Sequence, residues 1–331
     1  MSITITTGGI TMTGGGVSFT APPPAEATYG WFGAGYSAPT APLPSGGMYS
    51  GVQRIDYAND LTTASVRGPL TLARYELAGT GNTDYGWFGA GVTYPPTVVR
   101  STVDRITYAT DTATASSRGP LVLSAAYLAA TGTSTAGWFG GGTPGSSLNS
   151  VVSRITYATD TATASQRGPL NSVNNLQGIA ATTDKTTYGW FAGGFAFSNS
   201  RVSRIAYATD TATASVRGPL SAARYYLAGT GNSNYGWFGS GYPLTTAFER
   251  ITYATDTATA SVRGTLTYTS TGCMATGNDT YGWFAGGYVP TTLRSQVDRI
   301  TFATDTATAS ARGALATYLG FSGSSTNTVY A

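Results

Sequence analysis

The chain has 331 residues, of which charged residues are only 10% and aromatic residues 12%, so Thr, Ser, Gly and Tyr must keep its surface wet. Its net charge of +3 and single lysine, Lys185, leave no basic stripe to neutralise a phosphate backbone, which argues against nucleic-acid binding. The absence of histidine excludes imidazole bases, Ser-His-Asp triads, histidine-ligated metals and a histidine pH switch. The lone Cys273 permits no intrachain disulfide and reads as a small buried hydrophobe.

Residues 1–26 read as a separate segment. Two Thr/Ile-rich runs between Ile3 and Thr20, broken at Gly8-Gly9 and Gly14-Gly15-Gly16, predict short strands. Pro22-Pro23-Pro24 then forms a stiff spacer. The start of the chain has neither a basic nor an apolar stretch of the secretory kind, and no run of about 18 apolar residues exists, so no membrane insertion is expected. The exposed edges of this segment suit pairing with a neighbouring subunit, including a copy of the chain itself.

From residue 27 onward the sequence repeats six times. A Gly-Trp-Phe triplet carries all six tryptophans, Trp31, Trp87, Trp138, Trp190, Trp237 and Trp283, at spacings of 56, 51, 52, 47 and 46. Three further columns follow in each unit: Arg-Ile-x-Tyr/Phe from Arg54, Asp-x-x-Thr-Ala-Ser from Asp60, and Arg-Gly from Arg67. Each unit reads as four strands. The Tyr-Gly-Trp-Phe-Gly strand is expected innermost, where glycine relieves crowding at the axis. Arg-Ile-Thr-Tyr-Ala alternates with period 2, Thr-Ala-Thr-Ala-Ser-Val is β-branched, and a fourth strand resembles Ala222 to Ala228. Four strands per unit of about 50 residues predict an all-β, six-bladed propeller, with blades at 27–81, 82–132, 133–184, 185–231, 232–277 and 278–331. Six complete units need no borrowed strand, although Thr326 to Ala331 runs on toward a further first strand and either terminus is placed to add an edge strand. The tryptophans are expected to pack between blades, each worth about 4–6 kcal/mol by area.

These columns resemble the kelch repeat in their paired glycines, Tyr-Ala-Thr-Asp-Thr, Arg-Gly-Pro-Leu, and a late arginine at Arg74 and Arg224. They depart from it in placing Ser65, Ser116, Ser165, Ser215, Ser261 and Ser310 near the kelch tryptophan, with tryptophan moved to the first strand. The combined run Arg-Ile-x-Tyr-Ala-Thr-Asp-Thr-Ala-Thr-Ala-Ser-x-Arg-Gly-Pro-Leu with Tyr-Gly-Trp-Phe is also similar to repeats in tail-associated structural proteins of marine and cyanobacterial phages. That resemblance implies a virion protein, made in the host cytoplasm and released by lysis, whose partners are other virion proteins, through residues 1–26, and a host-surface polysaccharide or receptor.

Catalytic chemistry finds little footing. Eighteen of the 33 charged residues belong to the repeat columns, and a residue present six times is expected to cap turns or pair blades rather than react. The repeated Asp offers one carboxylate per turn, too few for calcium, and no Gly-Lys-Ser/Thr follows the glycine clusters, so no metal or cofactor is expected. Kelch-like copper oxidases need histidine, and no sialidase Asp box of the Ser-x-Asp-x-Gly-x-Thr-Trp type occurs. A two-carboxylate glycosidase would have to draw on the non-repeat acids Glu26, Asp56, Glu76, Asp84, Asp104, Asp184, Glu249, Asp279 and Asp298.

Variation concentrates between the Gly-Trp-Phe and Arg-Ile columns, at 36–51, 92–103, 143–152, 195–202, 242–248 and 288–297. Six such loops must emerge on one face of a ring. Their unmatched Tyr36, Tyr49, Tyr94, Arg100, Phe195, Phe197, Arg201, Tyr242, Tyr288 and Arg294 are the candidate ligand-binding residues, since Tyr and Arg anchor recognition surfaces and aromatic faces suit sugars. The expected function is non-enzymatic recognition on a virion. A purely structural decoration or fibre-building subunit, and a glycan-degrading enzyme, are the alternatives.

Overall fold

A computed structural model of the chain describes residues 10–13, 16–19, 27–38, 47–145, 149–171, 176–195 and 199–327. It is a six-bladed β-propeller with four antiparallel strands in each blade. Blade III shows the pattern: Ala129–Gly132 lies innermost, followed outward by Ala136–Gly140, Val152–Thr156 and Ser165–Arg167. The Gly-Trp-Phe strand is thus second from the axis, a correction to the expectation that it is innermost. The inner strands, Ala78–Gly81, Ala129–Gly132, Ala180–Thr183, Ala228–Gly231, Met274–Gly277 and Gly323–Thr326, face one another around the axis. They approach too closely for large side chains: a Cβ on Gly79 would lie 2.4 Å from the Ser324 carbonyl oxygen.

This arrangement displaces the expected blade boundaries. Each inner strand pairs with the Gly-Trp-Phe strand of the next repeat, so Ala78–Gly81 belongs with Tyr85–Gly89 rather than with the repeat that precedes it. The ring therefore does borrow a strand: Gly323–Thr326 pairs with Gly30 to Gly33 and completes blade I, whose other strands are Tyr29–Ala38, Gly47–Asp56 and Ser65–Arg67. A further short strand, Tyr318–Gly320, pairs with Tyr36 to Ala38. The expected fourth strand at 222–228 is mostly a linker, touching Tyr242 through a single bridge at Tyr225, and the expected third strand shortens to three residues in most blades. Its Thr-Ala-Thr-Ala run instead follows a 3-10 turn at Tyr108–Thr110 and its counterparts. Ile10–Thr13 and Gly16–Phe19 form a separate two-stranded hairpin. Among the described residues no helix is long and apolar enough to cross a membrane.

The repeat columns meet between blades, where the core sits. Trp31 is buried in blade I and stacks on Tyr108 of blade II, with ring centroids 4.0 Å apart. Its Nε1 donates to Asp111 Oδ2 at 2.8 Å, and the same carboxylate receives Arg54 Nη1 at 3.0 Å and faces Arg67 Nε at 3.5 Å. Trp87, Trp138, Trp190, Trp237 and Trp283 repeat the contact on Asp160, Asp210, Asp256, Asp305 and Asp60. The last of these, joined by Arg299 and Arg312, locks blade VI to blade I. The glycine of the Arg-Gly column completes the joint, because a Cβ on Gly68 would lie 2.0 Å from the Ala113 carbonyl oxygen of the next blade.

Candidate functional site

One end of the axis carries an arrangement with no counterpart in the repeat columns. The residue that enters each inner strand is Glu76, Tyr127, Gly178, Tyr226, Gly272 or Phe321, and all six are left-handed, with φ between 54° and 65°. A non-glycine residue held there costs about 1–2 kcal/mol, so four of these six positions are strained. What holds them is a closed circle of backbone hydrogen bonds around the axis. Glu76 N–H donates to Phe321 O, Tyr127 to Glu76, Gly178 to Tyr127, Tyr226 to Gly178, Gly272 to Tyr226 and Phe321 to Gly272, at 2.6–2.9 Å.

The two glycines make room for aromatic rings. A Cβ on Gly178 would lie 2.3 Å from Tyr226 Cδ1, and one on Gly272 would lie 2.5 Å from Phe321 Cε1. Tyr226 consequently contacts Tyr127 at 5.1 Å and stands edge-on to Phe321 at 5.4 Å. Beneath the ring is a central cavity of about 110 Å³ walled by the inner strands. Glu76 is 7% exposed. Burial pushes its carboxyl up to about 8, against a smaller opposing effect from its hydrogen bond with the Tyr127 hydroxyl. Burial likewise raises Tyr226, to about 12, and Tyr127 further, where the neighbouring Glu76 adds to the effect.

The variable loops surround this mouth. Tyr75 bridges Val92, Ala126 bridges Thr143, Tyr225 bridges Tyr242 and Thr271 bridges Tyr288, which ties the loops to the linkers entering the inner strands. On one side Tyr225 touches Tyr226 at 4.9 Å, Phe195 at 4.7 Å and Tyr242 at 5.1 Å. Phe195 and Tyr242 are 41% and 46% exposed, so the cluster opens to solvent. On the other side Tyr75, next to Glu76, packs edge-on to Tyr36 at 5.9 Å and lies near the exposed Tyr94.

Four of the sequence candidates, Tyr36, Tyr94, Phe195 and Tyr242, therefore flank the axial mouth. Tyr288 is half-buried and accepts the Thr291 N–H on its hydroxyl. Tyr49 folds over Gly51 and packs against the core between blades VI and I. Of the arginines, Arg100 donates to Thr93 Oγ1 of its own loop, Arg201 donates to Asn171 outside its loop, and Arg294 lies beside the buried Tyr268 hydroxyl. Phe197 lies outside the described residues. Of the residues that complete the site, Tyr75, Tyr127, Tyr225, Tyr226 and Phe321 escape sequence reasoning that places them within a fourth strand, and Glu76 enters it only as one of nine non-repeat acids. Their signal is a position that changes from Glu to Tyr, Gly or Phe directly before an otherwise regular small-residue column.

No protein-family model matches the chain, and no curated protein matches it. Solved structures do. That of YjhT superposes with a TM-score of 0.65 at 11% identity, covering 84% of this chain and 98% of that one. At that identity the likeness shows the propeller fold alone.

Proposed function

We propose that the protein is a non-catalytic recognition propeller of a virion, tail-associated, which holds host-surface glycan on its axial mouth. The observation that carries this reading is the contiguous aromatic surface running from Phe195 and Tyr242 through Tyr225 to Tyr226, Tyr127 and Phe321. Loops held by a rigid scaffold are where binding is usually carried, and partly exposed aromatic faces suit the apolar faces of sugar rings. Among the described residues Glu76 is the one carboxyl group lining the mouth, whereas glycoside hydrolysis by paired carboxylates needs two, and this supports recognition over turnover. The sequence resemblance to phage tail proteins supports the virion setting. The N-terminal hairpin, which forms its own sheet, suits attachment to other virion proteins. The test is binding of labelled protein to intact host cells, with soluble surface polysaccharide as competitor. Saturable binding that the polysaccharide removes, and that Tyr226→Ala or Tyr242→Ala weakens at least about tenfold, is expected. Absence of binding by multimerised protein would leave a structural subunit of the particle.

A further inference from the structure

The charge around the axial mouth is unusual for a protein with more arginine than acid. The described residues lining it include Glu76 and no arginine or lysine. Two arginines stand two positions before the ring, Arg74 before Glu76 and Arg224 before Tyr226, and both turn inward. Arg74 is fully buried and donates to Asp104 Oδ2 at 2.7 Å and to the Phe88 carbonyl. Arg224 is 6% exposed, pairs with the buried Glu249 and donates to the Ala247 carbonyl. The loop arginines stand outside this lining: Arg100 donates to Thr93, Arg201 to Asn171, and Arg294 lies beside the Tyr268 hydroxyl. An anionic group entering the mouth would lose its hydration and meet no counter-charge among the described lining residues. An uncharged sugar meets ring faces for its C–H bonds, and the Glu76 carboxyl with the Tyr127 hydroxyl for its hydroxyl groups.

We infer that the axial mouth selects uncharged glycans and rejects acidic ones, with Glu76 occupying the position at which a counter-charge is withheld. This rests on the recognition reading above and narrows its ligand class. A buried group without a compensating partner is costly, and for a charged one the cost is largest, so specificity here comes from what the site withholds as much as from what it offers. The arginine-free mouth is not a by-product of the repeat, because the two arginines nearest the ring are each supplied with a buried acid, Asp104 or Glu249, in the third strand of their own blade. In blades III and IV the same position is Ser153 or Ser203 and no arginine is present in the linker. Each linker arginine is thus matched by an acid, and the remaining acid at this position, Asp298 of blade VI, is held by Thr267 instead.

The experiment is a binding titration of the full chain against pairs of soluble polysaccharides that differ in charge: galactan with polygalacturonate, and mannan with polymannuronate. The same titrations are repeated with Glu76→Lys and Glu76→Gln. The inference expects at least one neutral polymer to bind at least about tenfold more tightly than its acidic partner. It expects Glu76→Lys, which supplies the counter-charge, to narrow or reverse that ratio and Glu76→Gln, which keeps a hydrogen-bonding side chain that cannot ionise, to preserve neutral binding. Equal or tighter binding of the acidic polymers by the parent protein would overturn the inference and leave glycan recognition standing. A parent preference for the neutral polymer that Glu76→Lys leaves unchanged, in a variant that melts like the parent, would overturn the role of Glu76. Failure to bind any polysaccharide, that of the host included, would overturn the recognition reading itself.

Discussion

Replacing Asp60 by alanine tests whether the ring is closed as strongly at its seam as elsewhere. Asp60 accepts Trp283 Nε1 at 2.8 Å and Arg299 Nη1 at 3.0 Å, and lies 3.4 Å from Arg312 Nε. Its loss strands a fully buried indole N–H, at about 1–3 kcal/mol, and leaves two guanidinium groups that are 20% and 14% exposed without their counter-charge. Partial hydration of the arginines holds the total to about 3–5 kcal/mol. The matched control is Asp160→Ala, which removes the same three contacts, at 2.8, 3.0 and 3.5 Å, from a joint between consecutive blades. Geometry this similar predicts equal losses, within about 1 kcal/mol. With a urea slope of about 3 kcal/mol per molar, each variant should unfold about 1–2 M earlier than the parent. Tryptophan fluorescence reads the transition directly, because every tryptophan sits in one of these joints. A far smaller loss for Asp60→Ala than for Asp160→Ala would refute the reasoning, since it would mean that blades VI and I are not locked together in solution.

Three other outcomes follow from the same geometry. Removing residues 322–331 takes away Gly323–Thr326, the inner strand of blade I, and should abolish the cooperative thermal transition; a truncated chain melting with the parent would contradict closure by the C-terminal strand. Glu76 is held near 8 in the folded protein and lies at 4.5 when unfolded, so folding binds a proton between those values. Stability should therefore be highest below pH 4.5 as far as this group is concerned, and should fall as pH rises toward 8, by at most about 5 kcal/mol. Glu76→Gln should flatten that part of the profile of urea midpoint against pH, and an unchanged slope would remove Glu76 as its source. Burial pushes the Cys273 thiol up to about 12, and the residue is 7% exposed. A thiol reagent should label it only as fast as the protein unfolds, and rapid labelling of the native state would be inconsistent with its position under the axial ring.

How far the sequence can be read depends on whether a feature repeats. The propeller itself is legible because four columns recur six times, and Trp31, Arg54, Asp111 and Arg67 recur because each blade joint needs the same four groups. Strand order within a blade is less legible. Gly-Trp-Phe-Gly looks like the crowded inner strand because of its glycines, yet the tryptophan fills the joint between blades, and the strand that can reach the axis is the small Ala-Gly-Thr-Gly run. Closure was hidden for a related reason: a repeat can be cut at any phase, and only pairing shows that Ala78 to Gly81 belongs to the blade that follows. The site is least legible of all. Variation in the loops singles out Tyr36, Tyr94, Phe195 and Tyr242, which no joint constrains and which lie beside the mouth. It passes over Glu76, Tyr127, Tyr226 and Phe321, which occupy one column but differ in side chain. They form a site because six equivalent left-handed positions converge on one axis, where a change of side chain in any blade alters a single shared mouth. Symmetry in the backbone and asymmetry in the side chains are both needed there: the hydrogen-bonded circle fixes six positions, and the two glycines leave space for the aromatic rings that line the mouth.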